Sequence, residues 1–267
     1  MTDQSRPTHQ GNPAGQSHKA EPWHSAITMT TDHQVIVRGV PLDEAIGRES
    51  FPAMLLLMWR GEPATPEEAD LLAACMVASI DHGPVSPSAM VTRTIAATRA
   101  APMSGLAGGI LAFGEHHGAV VTRAMQIIAS APADGDLDLW ADEVFEAERR
   151  AGRRIPGVGH RWHDKDLRAE RLLELAGPLA EEHHPRAVRA LAGRVAKHTG
   201  NPTPVNVDGA LAVALTALRL DPAYGDFLFA VTRSYGLAAH YVEETKRGRP
   251  MRTIDPTAAH YDGPLPE

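Results

Sequence analysis

Several polar residues stand at breaks in a chain whose pattern is otherwise helical, and their types are suited to proton transfer. They are His82 in SIDHG, His116 and His117 in FGEHHGA, His160 in GVGHRWH, and Asp208 in NVDG. Catalytic groups concentrate on loops and helix ends held by a rigid scaffold, and imidazoles and carboxylates are common general acids and bases. The pattern therefore indicates acid–base chemistry.

Each of these residues also has a simpler interpretation. Asp208 comes directly before an apolar helical segment and could be its N-cap. His82 could be a polar residue that ends a helix. The adjacent His116 and His117 could be a metal pair, but neighbouring side chains on a helix face different ways, and no carboxylate-plus-histidine spacing completes a zinc site. We therefore predict no metal.

Two arginines lie where a guanidinium could bind an anion. Arg168 is in DLRA, and Arg233 is in the largely apolar segment DFLFAVTRSYGLAAHYV, where a buried guanidinium needs an anionic partner. Both could instead be surface or ion-pair arginines.

The elements that must position these side chains are helices. Only QVIVRGV, residues 34–40, alternates as a strand does. The loop IPGVGHRWHDKD interrupts the periodicity, and the later segment GALAVALTALRL is apolar nearly all round, which predicts a buried helix. A glycine-rich helix near 103–113 predicts the close approach of another backbone. Other helices are predicted at 66–80, 87–100, 167–180, 185–199 and 225–246.

Composition narrows the class of protein. The 267 residues are 43% hydrophobic with a formal charge of −7, which gives no basic footprint for nucleic acid or an anionic membrane. The longest apolar run, residues 51–59, is far below the roughly 20 residues that span a bilayer. The single cysteine, Cys75, favours a reducing compartment, so we expect a cytoplasmic protein. Residues 1–22 have the composition of a disordered leader.

Taken in order, SIDHGPVSPS, GEHHGA, IPGVGHRWHDKDLRA, NVDGALA and VTRSYGLAAH resemble the motifs of the citrate synthase superfamily. The resemblance covers residues 23 to about 253. NVDG followed by a small-residue helix looks more like citryl-CoA lyases and the C-terminal module of ATP-citrate lyase than like ordinary citrate synthases. The short spacing from GEPAT to the DH motif also resembles a compact member.

The resemblance implies roles in a reaction that makes or breaks the bond between the methyl carbon of acetyl-CoA and the carbonyl carbon of oxaloacetate. Asp208 would be the base that takes the methyl proton, and His116 would donate to the thioester oxygen. His160 would protonate the ketone oxygen in condensation or deprotonate the citryl hydroxyl in cleavage. The family motif usually reads HGGA, and His117 falls where a glycine is common, so it could alter the pocket or the choice of substrate.

The same resemblance implies a set of binding residues. His82, Arg168 and Arg233 would hold substrate carboxylates, together with an arginine from the C-terminal end of another subunit. Arg249 is the preferred candidate for that arginine, ahead of Arg247 and Arg252. The backbone that would lie against CoA consists of Ile155, Pro156, Gly157, Val158 and Gly159.

The predicted fold is all-α, citrate synthase-like, with a short N-terminal β element and two parts. The large part would comprise 23–117 and 216–267, the small part 118–215, with the active site in the cleft between them. We expect a homodimer or larger homo-oligomer with no tightly bound cofactor, because the CoA thioester is the substrate. The predicted function is citryl-CoA lyase; the alternatives are a compact citrate or 2-methylcitrate synthase and an inactive CoA-binding or subunit-interaction homologue.

Overall fold

The computed structural model describes residues 24–160, 164–253 and 255–266. The predicted leader, residues 1–22, lies outside these ranges. Helices dominate the described chain, as predicted, and a small sheet comes before them. The helices are α1 Leu42–Ala45, α2 Phe51–Arg60, α3 Pro66–Ser79, α4 Pro87–Ala97, α5 Pro102–Leu111, α6 Val121–Ala129, α7 Leu137–Arg150, α8 Leu167–Ala176, α9 His183–Thr199, α10 Val207–Ala217 and α11 Tyr224–Arg247.

The sheet corrects the strand prediction. Three short antiparallel strands, β1 Thr28–Thr30, β2 Val35–Val37 and β3 Val40–Pro41, pair in the order β1-β2-β3. The single strand predicted over 34–40 is therefore a hairpin. Arg38 and Gly39 both adopt positive φ, +48° and +85°, which turns the chain between β2 and β3. β1 was missed because its three residues are all exposed and carry no alternation of burial.

Helix α3 begins as its sequence predicts. Thr65 accepts a hydrogen bond from the Glu68 N–H, and the Glu68 side chain accepts one from the Thr65 N–H, which completes a capping box. Pro66 occupies the first turn, where its missing N–H is not needed. His82 lies in the loop that follows this helix.

The glycines of α5 allow close packing. A Cβ added at Gly109 would lie 3.1 Å from the Ser88 carbonyl oxygen of α4, which confirms the predicted backbone approach. At Gly105 the neighbour is instead a side chain, since a Cβ there would lie 2.5 Å from a ring carbon of Tyr241 on α11. Helices α4, α5 and α11 thus pack closely against one another.

Helix α10 is the centre of the core, as its apolar sequence predicts. All its residues from Val207 to Leu215 are buried except Asp208, and it packs against α3, α6, α8, α9 and α11. The part of the chain that the structure describes holds no helix of the length and apolarity that a bilayer crossing requires. The division into two parts across a cleft remains a prediction.

Candidate active site

The fold brings five of the predicted residues together from separate elements. His82 follows α3, His160 lies in the loop between α7 and α8, Arg168 is in the first turn of α8, Asp208 is in the first turn of α10, and Arg233 is on α11. The rings of His82 and His160 meet edge to face, with centroids 6.0 Å apart, and Arg168 Nη1 lies 3.5 Å from His82 Nδ1. These contacts join three of the five residues, and Arg168 and Arg233 lie close enough for their charges to act on Asp208.

The surroundings of His82 determine its protonation state. Burial lowers the pKa of His82, and the charges of Arg168, Arg233 and His160 lower it further, against the opposing charge of Asp166. His82 is therefore neutral near pH 7 and can serve as a hydrogen-bonding group.

Asp208 is not the cap of α10, which answers the question left open by the sequence. The side chain of Asn206 accepts hydrogen bonds from the N–H groups of Asp208 and Gly209, at 3.0 and 3.3 Å, and so caps the helix. The Asp208 carboxylate is released from that task. The asparagine directly before the helix, two residues ahead of Asp208, was the sequence feature that could have predicted this.

The Asp208 carboxyl group is shielded from solvent and makes few hydrogen bonds. Its Oδ1 is buried and has no hydrogen-bond partner among the described residues. Burial raises the pKa of Asp208 to about 6, although the charges of Arg233 and Arg168 favour its ionised form. A carboxyl group with a pKa near the working pH can both accept and deliver a proton.

Arg233 is a buried guanidinium whose hydrogen-bonding capacity is only partly used. Only 2% of the residue is exposed; its Nε donates to the Ser79 carbonyl oxygen at 3.0 Å, and the guanidinium carbon lies 4.7 Å from the centre of the Phe229 ring. Within the described chain its Nη1 is buried without a hydrogen-bond partner. Burial lowers the pKa of Arg233, while Asp81 and Asp208 raise it, so these carboxylates supply its countercharge.

Arg168 is held in place by a residue that the sequence analysis did not select. Asp166 is buried, accepts the Arg168 N–H as the N-cap of α8, and also accepts Arg168 Nε and Nη2 at 3.0 and 2.9 Å. Burial opposes ionisation of Asp166, but these bonds and the Arg168 charge outweigh it and lower its pKa. Arg168 therefore presents mainly Nη1 to a ligand.

His116 and His117 have different surroundings. His116 is exposed, whereas His117 is half-buried, and its ring lies 5.4 Å from that of Phe113. Phe113 in turn meets Phe229, the ring beneath Arg233, at 5.7 Å. The described contacts thus connect His117, and not His116, to the group around Arg233.

The environment of His117 also fixes its tautomer. Its Nε2 lies 2.9 Å from Ser88 Oγ and 3.3 Å from the Ser88 backbone N. A main-chain N–H can only donate, so Nε2 is the acceptor and the neutral ring carries its proton on Nδ1. Ser88 lies in the first turn of α4, where helix N–H groups have no partner within the helix. No feature of the sequence had singled out Ser88.

The loop IPGVG lies against the segment that carries Asp208. The carbonyls of Gly157 and Gly159 accept hydrogen bonds from Asn206, and the Gly159 N–H donates to Pro204 at 2.7 Å. Gly157 has φ +81°, and a Cβ there would lie 2.6 Å from Gly209 Cα, so both glycines are needed for the approach. These three polar groups of the loop are therefore used to position α10.

The C-terminal arginines differ in their partners. Arg252 binds Glu244 at 2.7 and 2.8 Å, and Arg247 lies 3.5 Å from Glu243. Over the described residues Arg249 forms no ion pair and is exposed. It is outside the group of five formed within this chain.

Comparison with known proteins agrees with the motifs. Residues 15–254 match the family described as citrate synthase, C-terminal domain, and the chain belongs to that family. It is similar to a citryl-CoA lyase from Hydrogenobacter thermophilus, with a TM-score of 0.82 and 30% identity over 92% of this chain and 97% of the other.

Larger relatives match over part of their length. ATP-citrate synthase beta chain protein 1 of Arabidopsis thaliana is 26% identical over 252 residues, 86% of this chain but 41% of the relative. A Methanosaeta concilii ATP citrate lyase in complex with citryl-CoA shares the fold, with a TM-score of 0.82 at 17% identity over 99% of this chain and 47% of that one. The chain thus spans about two fifths to one half of these relatives.

Proposed function

We propose that this chain is a citryl-CoA lyase, which cleaves citryl-CoA to acetyl-CoA and oxaloacetate. The observation that carries the proposal is the Asp208 carboxyl group, which has no capping task and lies within the field of Arg168 and Arg233. The near end-to-end similarity to a citryl-CoA lyase supports this reaction over that of a longer citrate synthase.

Cleavage requires a base at the hydroxyl and an acid at the departing carbon. His160 takes the hydroxyl proton, the carbon–carbon bond breaks, and its electron pair forms the enolate of acetyl-CoA. Protonated Asp208 then delivers its proton to the enolate carbon, which becomes the methyl group. His160 returns its proton to solvent and Asp208 is reprotonated, so the enzyme is restored and no water is consumed. In the condensation direction Asp208 is the base.

The developing enolate oxygen needs a hydrogen-bond donor. The family resemblance assigns this role to His116, but the contacts of the two side chains favour His117. Its half-buried ring and its Nδ1–H tautomer, fixed by Ser88, support the assignment, because a preoriented donor stabilises the charge without reorganisation. Exposed His116 lacks such an anchor in the described contacts.

Substrate carboxylates would be bound by donors that remain available. Arg233 Nη1 supplies one donor group. Arg168 Nη1 donates to His82 Nδ1 and keeps its second hydrogen, and the neutral His82 ring, which accepts at Nδ1, would donate from Nε2. The IPGVG backbone would contact CoA, which enters as a substrate, and no tightly bound cofactor is needed to balance the reaction. We also propose a cytoplasmic homodimer, closing around a cleft, in which Arg249 of a second copy completes the site.

The test follows both products of citryl-CoA. Oxaloacetate is measured by coupling to malate dehydrogenase and NADH, and free CoA by a thiol reagent. A lyase yields one oxaloacetate per citryl-CoA and no free thiol. Citrate with free thiol instead indicates the hydrolysis step of a citrate synthase, and neither product, with CoA still bound in calorimetry, indicates an inactive binding homologue. Either result contradicts the proposal.

A matched carboxylate pair controls this assay. Asp208→Asn should abolish oxaloacetate formation, whereas Asp70→Asn, at an exposed position of α3, should leave it unchanged. Equal activity in the two variants would remove Asp208 from the mechanism.

A further inference from the structure

The first turn of α9 buries two adjacent histidines. His183 and His184 are 8% and 7% exposed, and their ring centroids lie 4.2 Å apart. The Glu181 carboxylate approaches from the preceding turn, with Oε2 lying 3.5 Å from His183 Nδ1. None of these residues takes part in the reaction proposed above.

One ring nitrogen in this group has no hydrogen bond. His184 Nδ1 is buried and without a hydrogen-bond partner in the described chain. A buried, unpaired polar atom is unfavourable in the apoprotein, and a neutral imidazole is a good ligand for a transition metal.

The spacing of the three groups suits a small metal ion. One donor atom from each residue lies within 4.8 Å of the others. Among the described residues, these three are thus close enough to bind one metal ion together. A tetrahedral zinc ion with bonds of about 2.1 Å requires donor atoms about 3.4 Å apart. The 3.5 Å between Glu181 Oε2 and His183 Nδ1 already meets that requirement.

We propose that Glu181, His183 and His184 form a binding site for Zn²⁺ or a similar divalent transition metal, with water as the fourth ligand. Two histidines and one glutamate are an established zinc ligand set. The prediction of no metal from the sequence rested on His116 and His117. The ion would join the chain before α9 to the first turn of that helix and so stabilise the turn, without a part in the chemistry at Asp208.

The experiment uses the full chain, purified without a histidine tag and stripped with a chelator. Zinc is titrated in calorimetry, and the melting temperature is measured with and without it. We expect one zinc per chain and a rise in Tm of roughly 5–10 °C at a free zinc concentration of about 100 times Kd. Cobalt should give the visible absorption of a tetrahedral site.

Three variants separate the site from nonspecific binding by other histidines. Glu181→Gln and His184→Gln should each weaken zinc binding at least about 10-fold and remove most of the Tm increase. His198→Gln, an exposed position on the same helix, should change neither. Because Glu181 is exposed, its variant decides the matter even if His184→Gln fails to fold. Equal zinc affinity in wild type and Glu181→Gln, or an unchanged Tm with zinc, would overturn the proposal.

Discussion

Asp208 and Glu148 are both shielded carboxyl groups, but the protein surrounds them in opposite ways. Arg123 and Arg153 hold Glu148 with hydrogen bonds to both oxygens, including 2.8 Å from Arg123 Nε and 2.9 Å from Arg153 Nε. The bonds from Arg123 outweigh burial and, with Arg153, lower the pKa of Glu148 to about 2. Asp208 has an unpaired oxygen, and burial raises its pKa to about 6.

The difference teaches how to distinguish a structural carboxylate from a chemical one. The folded protein favours the charge of Glu148, so this group stabilises the fold above pH 4.5, and the contribution is lost as pH falls towards 2. The folded protein disfavours the charge of Asp208. Its carboxyl group therefore destabilises the fold above about pH 6, and this penalty disappears below pH 3.8. Proteins retain a destabilising group of this kind where the group is required for function.

The largest expected effect is on turnover when Asp208 is replaced. Asp208→Asn cannot donate or accept the proton, so citryl-CoA cleavage should fall by at least about 10³-fold. Because Asn206 caps the helix, the fold should remain, and removal of a disfavoured charge should raise Tm at pH 7 by about 2–6 °C. Turnover near that of wild type would show that the two carboxylates do not differ as described.

The next contrast is between the adjacent histidines. The rate at which the methyl protons of acetyl-CoA exchange with solvent should fall about 100-fold in the His117→Ala variant, because the enolate oxygen loses its hydrogen-bond donor. His116→Ala should stay within about 2-fold of wild type, and His160→Ala should retain part of the exchange. Deuterium incorporation followed by mass spectrometry gives the rates. The reverse ranking of the His116 and His117 variants would return the donor role to His116.

The arginines give a third contrast, between Arg252 bound to Glu244 and Arg249 without a partner in the described chain. Arg249→Ala and Asp208→Asn should each be nearly inactive alone. If sites are shared in a two-fold dimer, mixing them under subunit exchange should restore about one quarter of wild-type activity, because half the dimers gain one intact site of two.

Arg252→Ala is the matched control. Loss of the Arg252 side chain should lower the stability of the fold, but mixing this variant with Asp208→Asn should restore no activity beyond that of the two variants measured separately. Confirmed subunit exchange with no recovery would show that Arg249 does not act across an interface.

The smallest effect on activity is expected at Glu148. Glu148→Gln should keep turnover within about 2-fold but destabilise the fold by about 1–3 kcal/mol at pH 7, a range reduced because both arginines are partly exposed. Thermal melts should show Tm lower by about 3–8 °C, with the difference shrinking as pH approaches 3. A loss of activity with unchanged Tm would show that Glu148 has a chemical role and not a structural one.

The sequence predicted most of the fold because its helices carry local information. The cap and proline of α3 and the continuous apolar run of α10 identify those helices without any tertiary contact. The hairpin after Val37 was missed because its turn begins with a non-glycine residue at positive φ, which no composition rule predicts.

The site was harder to predict because its properties depend on tertiary contacts. Choosing between His116 and His117 requires knowing which ring turns towards Ser88, a residue 29 positions away from His117. The burial of His183 and His184 likewise depends on how α9 packs. The motifs could identify the residue types, but not the partners that set their protonation.

The pH dependence of methyl-proton exchange tests the central claim most directly, because in this direction Asp208 must be ionised. The rate of deuterium incorporation into acetyl-CoA, measured from pH 5 to 8 with wild-type enzyme, should rise about 10-fold per pH unit below 6 and level off above it. Asp208→Asn should show no such rise. A wild-type rate that is independent of pH across this range, or a residual rate in Asp208→Asn with the same profile, would contradict the account.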